Sequence, residues 1–123
     1  MINSEQADRL AEIVLVDKTD KKGNVRKIVN RECVGRDAKV ILAKIGVNVS
    51  DDIRCIICET DFNHPFVQQE LMMPILPIVR VDNIDEAIDL AVKAEHGNRH
   101  TAHMHSKNVD NLSRFAREVE TTI

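Results

Sequence analysis

The residues that most constrain this chain run from His64 to Val81, H-P-F-V-Q-Q-E-L-M-M-P-I-L-P-I-V-R-V, and continue directly into D-N-I-D-E-A-I-D-L-A-V-K-A-E-H-G. The first part is β-rich from Ile75 to Val81. Pro77 inside it has no N–H for a ladder, so the strand must lie at an edge or carry a bulge. The second part places Ile84, Ala87, Ile88, Ala91 and Ala94 on one helical stripe, with Asn83 or Asp82 as the cap and Gly97 as the stop. A strand feeding a helix with no linker is one unit of an α/β fold. One acidic residue, Glu70, stands at the entrance to the strand, where an unpaired buried charge would cost several kcal/mol unless something met it.

Further elements follow from the same spacing arguments. Ala7, Leu10, Ala11, Val14 and Leu15 predict a helix over Ser4 to Val16 with Ser4 as cap. The polar stretch D-K-T-D-K-K-G-N-V-R-K reads as a solvated loop or hairpin tip turning at Gly23-Asn24. Ala38, Ile41, Leu42 and Ile45 predict a short helix from Asp37 to Ile45, closed by Gly46, and Ile53 to Cys58 reads as a buried strand. Arg99 to His105 reads as a third strand. Asn108 or Asp110 opens a last helix with Val109, Leu112, Phe115, Ala116 and Val119 inward. The fold class is therefore α/β, about three main strands alternating with helices. The β-branched residues of Glu120 to Ile123 read as a strand just starting, so the chain is expected to end in mid-fold.

The 123 residues suit one domain, whose core must be aliphatic because Phe62, Phe66 and Phe115 are its only aromatic side chains other than histidine. The net charge of -3 comes from 20 acidic and 17 basic residues interleaved along the chain. No broad positive field favours nucleic acid, and no apolar run or N-terminal pattern suits a membrane span or signal peptide, so a cytoplasmic protein is expected. Cys33, Cys55 and Cys58 are an odd set and read as free thiols. Cys55 and Cys58 spell C-x-x-C, but in a β-like run they point to opposite faces, which suits a buried structural pair better than redox chemistry. His96, His100, His103 and His105 lie close together, yet Gly97 interrupts them and no cysteine or carboxylate completes a ligand pattern, so no metal site is expected.

On composition alone Glu70 is a surface carboxylate closing a short helical turn. Its surroundings change that reading. The run from Glu70 to Pro77 resembles the E-x-x-x-P-I/V-L-P element of aldehyde dehydrogenases, with Met72 and Met73 where the hydrolytic enzymes usually carry an aromatic residue and a glycine. Together with V-G-R-D-A at Val34 to Ala38, N-H-P-F at Asn63 to Phe66 and H-T-A-H-M-H-S-K-N-V-D-N at His100 to Asn111, it resembles the coenzyme-A-acylating branch. That branch includes the acetaldehyde and propionaldehyde dehydrogenases of bacterial microcompartments.

The resemblance implies a partial catalytic domain over residues 1–123, with the nucleophilic cysteine and the cofactor-binding domain upstream. It implies that Glu70 accepts hydrogen bonds from the ribose hydroxyls of NAD, that Pro74 fixes the backbone after it, and that Leu71, Met72 and Met73 form an apolar wall. His100 or Thr101 would contact coenzyme A or the acyl group. The implied partners are a short-chain aldehyde, coenzyme A and further copies of the chain, through homo-oligomers or association of exposed apolar surface; the implied location is the cytoplasm or a microcompartment. The chain alone is expected to be inactive. The rival is a non-catalytic binding or assembly module that retains the fold.

Overall fold

A computed structural model describes residues 1–121. They form two compact units, Met1–Arg80 and the described residues from Val81 on.

The first unit opens with helix α1, Ser4–Val14, capped by Asn3 and not by Ser4. Asn3 and Gln6 form a reciprocal capping box: Gln6 N–H donates to Asn3 Oδ1 at 2.8 Å and Asn3 N–H to Gln6 Oε1 at 3.0 Å. The helix ends two residues before the Val16 expected from periodicity, because the chain passes without a linker into strand β1, Leu15–Thr19. Strand β2, Val25–Val29, pairs antiparallel with β1, Leu15 opposite Val29 and Thr19 opposite Val25. Of the two readings of this polar stretch, loop or hairpin tip, the structure shows the hairpin, with paired strands on both sides of the tip. Asp20 builds its tip by accepting from Asn24 Nδ2, Asn24 N–H and Lys22 N–H, contacts that hold its carboxyl below the ordinary value. Asn30 closes the base, donating its N–H to Val14 O at 2.8 Å and its Nδ2 to Ile13 O at 3.1 Å, which satisfies carbonyls that a helix end leaves open.

Helix α2 spans Ala38–Ala43 and buries Ala38, Ile41 and Leu42; Gly46 follows at φ 78, the left-handed conformation that ends a helix at least cost in glycine. Strand β3 is Ile56–Glu59 and strand β4 is Ile75–Ile78, paired in parallel with Ile56 beside Ile75 and Cys58 beside Pro77. The pairing sets the strand's limits: Ile53, expected inside it, lies in a turn and is 41% exposed. Ile56 N–H donates to Pro74 O and Thr60 N–H to Ile78 O, so the even-numbered residues of β4 face β3 in the ladder. Pro77 faces the open edge, where its missing N–H removes nothing. On the other side of β3, Ile2 makes a parallel bridge to Cys58. The core of this unit packs α1 and α2 against the sheet through Leu10, Val14, Leu15, Ile41, Ile56 and Cys58.

Helix α3, Pro65–Gln68, belongs to the first unit, while the second unit contains helices α4, Ile84–Ala94, and α5, Val109–Val119, capped by Asn83 and Asn108. Ile88 and Val119 are its buried side chains. Arg114 ties the helices together, bonding Glu118 on its own helix and Asp85 on α4. Two residues expected inward on α5 are not: Val109 is 71% exposed and Ala116 is exposed. The expected strand from Arg99 to His105 is not one. Arg99 sits at φ 50, and although exposure alternates from Thr101 to Ser106, no described strand pairs with the segment, and a strand is defined by its neighbour. Of the strand expected at the chain's end, Glu120 is the left-handed cap of α5 at φ 49, and Thr122 and Ile123 lie outside the described residues.

Candidate functional site

The loop carrying Glu70 is anchored on both sides. Upstream, helix α3, Pro65–Gln68, places Pro65 in its first turn, where the missing N–H has no helical partner to lose. His64 is its cap: the ring Nδ1 accepts Phe66 N–H at 3.1 Å. That bond makes Nδ1 an acceptor and puts the ring proton on Nε2, which lies 3.3 Å from Asp8 Oδ1 on α1 but off the line a hydrogen bond needs. The ring also meets Phe66 edge-on, centroids 4.8 Å apart. Gln68 Nε2 donates to Phe62 O and Gln69 N–H to Pro65 O, completing the turn.

Glu70 follows at once and is exposed. It stands in a loop after a helical turn and well before Ile75, so it is not at the strand entrance, and the burial cost expected there is not incurred. Among the described residues its carboxylate has no hydrogen-bond or ion-pair partner. Downstream, Leu71 is in the core, so of the expected apolar wall Met72, 67% exposed, and the half-buried Met73, which also packs against the core, are left to face a ligand. Ile75 N–H donates to Met73 O at 2.8 Å around Pro74, and Pro74 O accepts from Ile56. Pro74 therefore joins the loop to the sheet. Met72, Met73 and Pro74 border a cleft of about 540 Å³ that is also lined by Gly35, Arg36 and Asp37 of the V-G-R-D-A motif.

His100 and Thr101 belong to the second unit. Both are exposed, and Thr101 Oγ1 lies 3.0 Å from His100 Nδ1. Thr101, His103 and His105 border a separate cleft of about 520 Å³ floored by Ile88, Ala91 and Phe115. Among the described residues no group of three or more histidines, cysteines and carboxylates is arranged to hold a metal. Of the thiols, Cys33 and Cys58 are buried, but Cys55 is exposed, which corrects the reading of the C-x-x-C pair as wholly buried: Cys55 precedes β3 and only Cys58 is in the ladder. Burial, with a smaller contribution from Cys55, pushes the Cys58 thiol above its ordinary value. Two contributors escape sequence reasoning. His64 is overlooked as a cap because imidazole is not among the usual capping groups, and Gly35 because its partner is distant in the chain; both lie in motifs that the resemblance already marks.

The sequence profile of the aldehyde dehydrogenase family matches residues 54–123. The chain belongs to that family. It is 48% identical over 122 residues to the acetylating acetaldehyde dehydrogenase EutE of Salmonella typhimurium, a match that covers 99% of this chain and 26% of that enzyme. The structure superposes with a TM-score of 0.83 and 47% identity on a propionaldehyde dehydrogenase from the fucose utilisation microcompartment of Clostridium phytofermentans, covering 98% of this chain and 26% of that one. It superposes equally well, TM-score 0.82 at 42% identity, on the Rhodopseudomonas palustris propionaldehyde dehydrogenase with bound propionyl-CoA, over 98% of this chain and 25% of that one. This member of the aldehyde dehydrogenase family thus spans about a quarter of the length of the relatives it matches, and its relatives are coenzyme-A-acylating enzymes.

Proposed function

We propose that these residues form part of the catalytic domain of an NAD-dependent, coenzyme-A-acylating aldehyde dehydrogenase that converts a short-chain aldehyde to its acyl-CoA. The observation that carries the reading is the 48% identity along nearly the whole chain to an acetylating acetaldehyde dehydrogenase. NAD, when bound, accepts the hydride. Glu70 orients the ribose through its two carboxylate oxygens, a role its exposure and lack of protein partners leave open, and Pro74 holds the backbone that carries it. His100, with Thr101 at its Nδ1, meets coenzyme A or the acyl group. The thiolate that attacks the aldehyde comes from the part of the enzyme that lies outside this quarter, since Cys33 and Cys58 are buried and Cys55 precedes a strand with no base beside it in sequence.

The proposal places the enzyme in the cytoplasm or a bacterial microcompartment, as the fucose utilisation relative suggests; no described helix is long and apolar enough to cross a membrane. Leu76, 52% exposed, and Ile78, 40% exposed, on strand β4 favour association with further chain, whether other copies or the rest of the enzyme.

Co-expression tests the reading. The chain alone should form no NADH from propanal and coenzyme A. Together with the N-terminal three quarters of the Salmonella relative it should do so, and Glu70→Gln in the pair should raise the KM for NAD at least tenfold. Turnover by the isolated chain, or a reconstituted pair indifferent to Glu70→Gln, would overturn it; a soluble pair with no activity favours a non-catalytic module.

A further inference from the structure

Two residues in left-handed backbone conformations meet beside the candidate site. Gly35 has φ 68 and Met72 has φ 55, and Gly35 N–H donates to Met72 O at 3.1 Å. Left-handed geometry is costly for a side chain such as methionine's, so something must hold Met72 there. Its own side chain is 67% exposed and offers little restraint. On either side the loop is already secured, by Leu71 in the core and by Pro74 O on Ile56, which leaves the bond from Gly35 as the tie at the turn itself.

The partner loop is firmly rooted. Cys33 is fully buried, its N–H donates to Asn30 O, and its carbonyl accepts Arg36 N–H at 3.2 Å, so Gly35 projects from a turn pinned to the core. A Cβ built on Gly35 would meet nothing within 4 Å. Glycine is therefore required here for its φ and not for space.

We infer that Gly35 of the V-G-R-D-A motif is a positioning residue: its left-handed backbone and its bond to Met72 O set the loop that presents Glu70 and Pro74. The functional meaning rests on the ribose reading of Glu70. The two ideas fail separately, because the loop can be measured with no cofactor present, whereas Glu70→Gln in the co-expressed pair reads the ribose contact alone.

The test uses amide NMR of the full 123-residue chain. In Gly35→Ala the Met72 and Met73 amides should shift, and the residue-35 amide should exchange with solvent about tenfold faster, reflecting the left-handed penalty. The methyls of Leu10 and Ile41 should stay in place. Gly35→Asn, which tolerates the left-handed region, should restore both signals towards wild type. Unmoved Met72 and Met73 amides in Gly35→Ala, or an asparagine variant no better than alanine, overturns the inference. Should Gly35→Ala fail to fold, Met72→Gly approaches the same bond from the other side: relieving the strain should leave the Gly35 amide protected, and an unprotected amide there overturns the inference equally.

Discussion

Replacing His64 tests whether the loop before Glu70 is held by an imidazole cap. The His64 side chain is only 9% exposed, its Nδ1 caps α3 through Phe66 N–H, and its ring lies edge-on to buried Phe66. Loss of a helix cap costs about 1 kcal/mol, loss of an edge-on aromatic contact about 1 kcal/mol, and loss of the ring's apolar burial about 1 kcal/mol. The nearby Asp8 adds little, because its side chain is 71% exposed and its oxygen lies off the line that a hydrogen bond from Nε2 needs. His64→Ala should therefore lower the stability of the first unit by about 3 kcal/mol. His64→Asn, which restores the cap alone, should lower it by about 2 kcal/mol. Urea titration at constant pH, followed by the Leu10 and Ile41 methyl resonances of the same core, reads the difference without averaging over the second unit. His103→Ala, at an exposed position, is the control and should change nothing. A loss below about 1 kcal/mol for His64→Ala, or equal losses for alanine and asparagine, would refute the cap argument.

Two further outcomes follow from single interactions. Asn3→Ala removes one half of the capping box and strands the Gln6 N–H, so α1 should lose about 1 kcal/mol in the same titration; no change would mean that packing of Leu10 and Val14 alone sets the helix start. Because burial raises the Cys58 thiol above its ordinary value of 9.0, the unfolded chain ionises first. The stabilising contribution is intact below pH 9.0 and is lost as pH rises through the folded-state value. Cys58→Val should flatten this alkaline loss, and a variant that keeps the full slope would show that another group causes it.

Helices α4 and α5 were legible because an asparagine cap precedes an apolar stripe of helical period, and both signals are local. The α/β class and the two separate strands β3 and β4 are legible for the same reason, whereas their parallel pairing appears only in the structure. The hairpin tip at Gly23-Asn24 is legible, but the strands that flank it are not: β1 and β2 expose most of their residues, so neither alternation nor apolar content marks them, and their pairing appears only when Leu15 meets Val29. From Thr101 to Ser106 the reverse holds. The period-two exposure of a strand is present, with Ala102, Met104 and Ser106 half-buried, but pairing is a property of two segments and the alternation belongs to one. At the site, Glu70 reads as standing at a strand entrance but is exposed, because Leu71 and not the carboxylate turns into the core. The contact between Gly35 and Met72 links distant stretches and could not be inferred from either alone.

The clasp that Asn30 makes on the end of α1 gives the hairpin a mechanical character. Its root is fastened by two bonds to Ile13 and Val14, while from Val16 to Lys27 every residue is exposed. The ribbon is thus a stiff handle on a solid hub, and its lysine-bearing tip can be lengthened, recharged or tagged without the disturbance travelling down to the buried side chains of the helix.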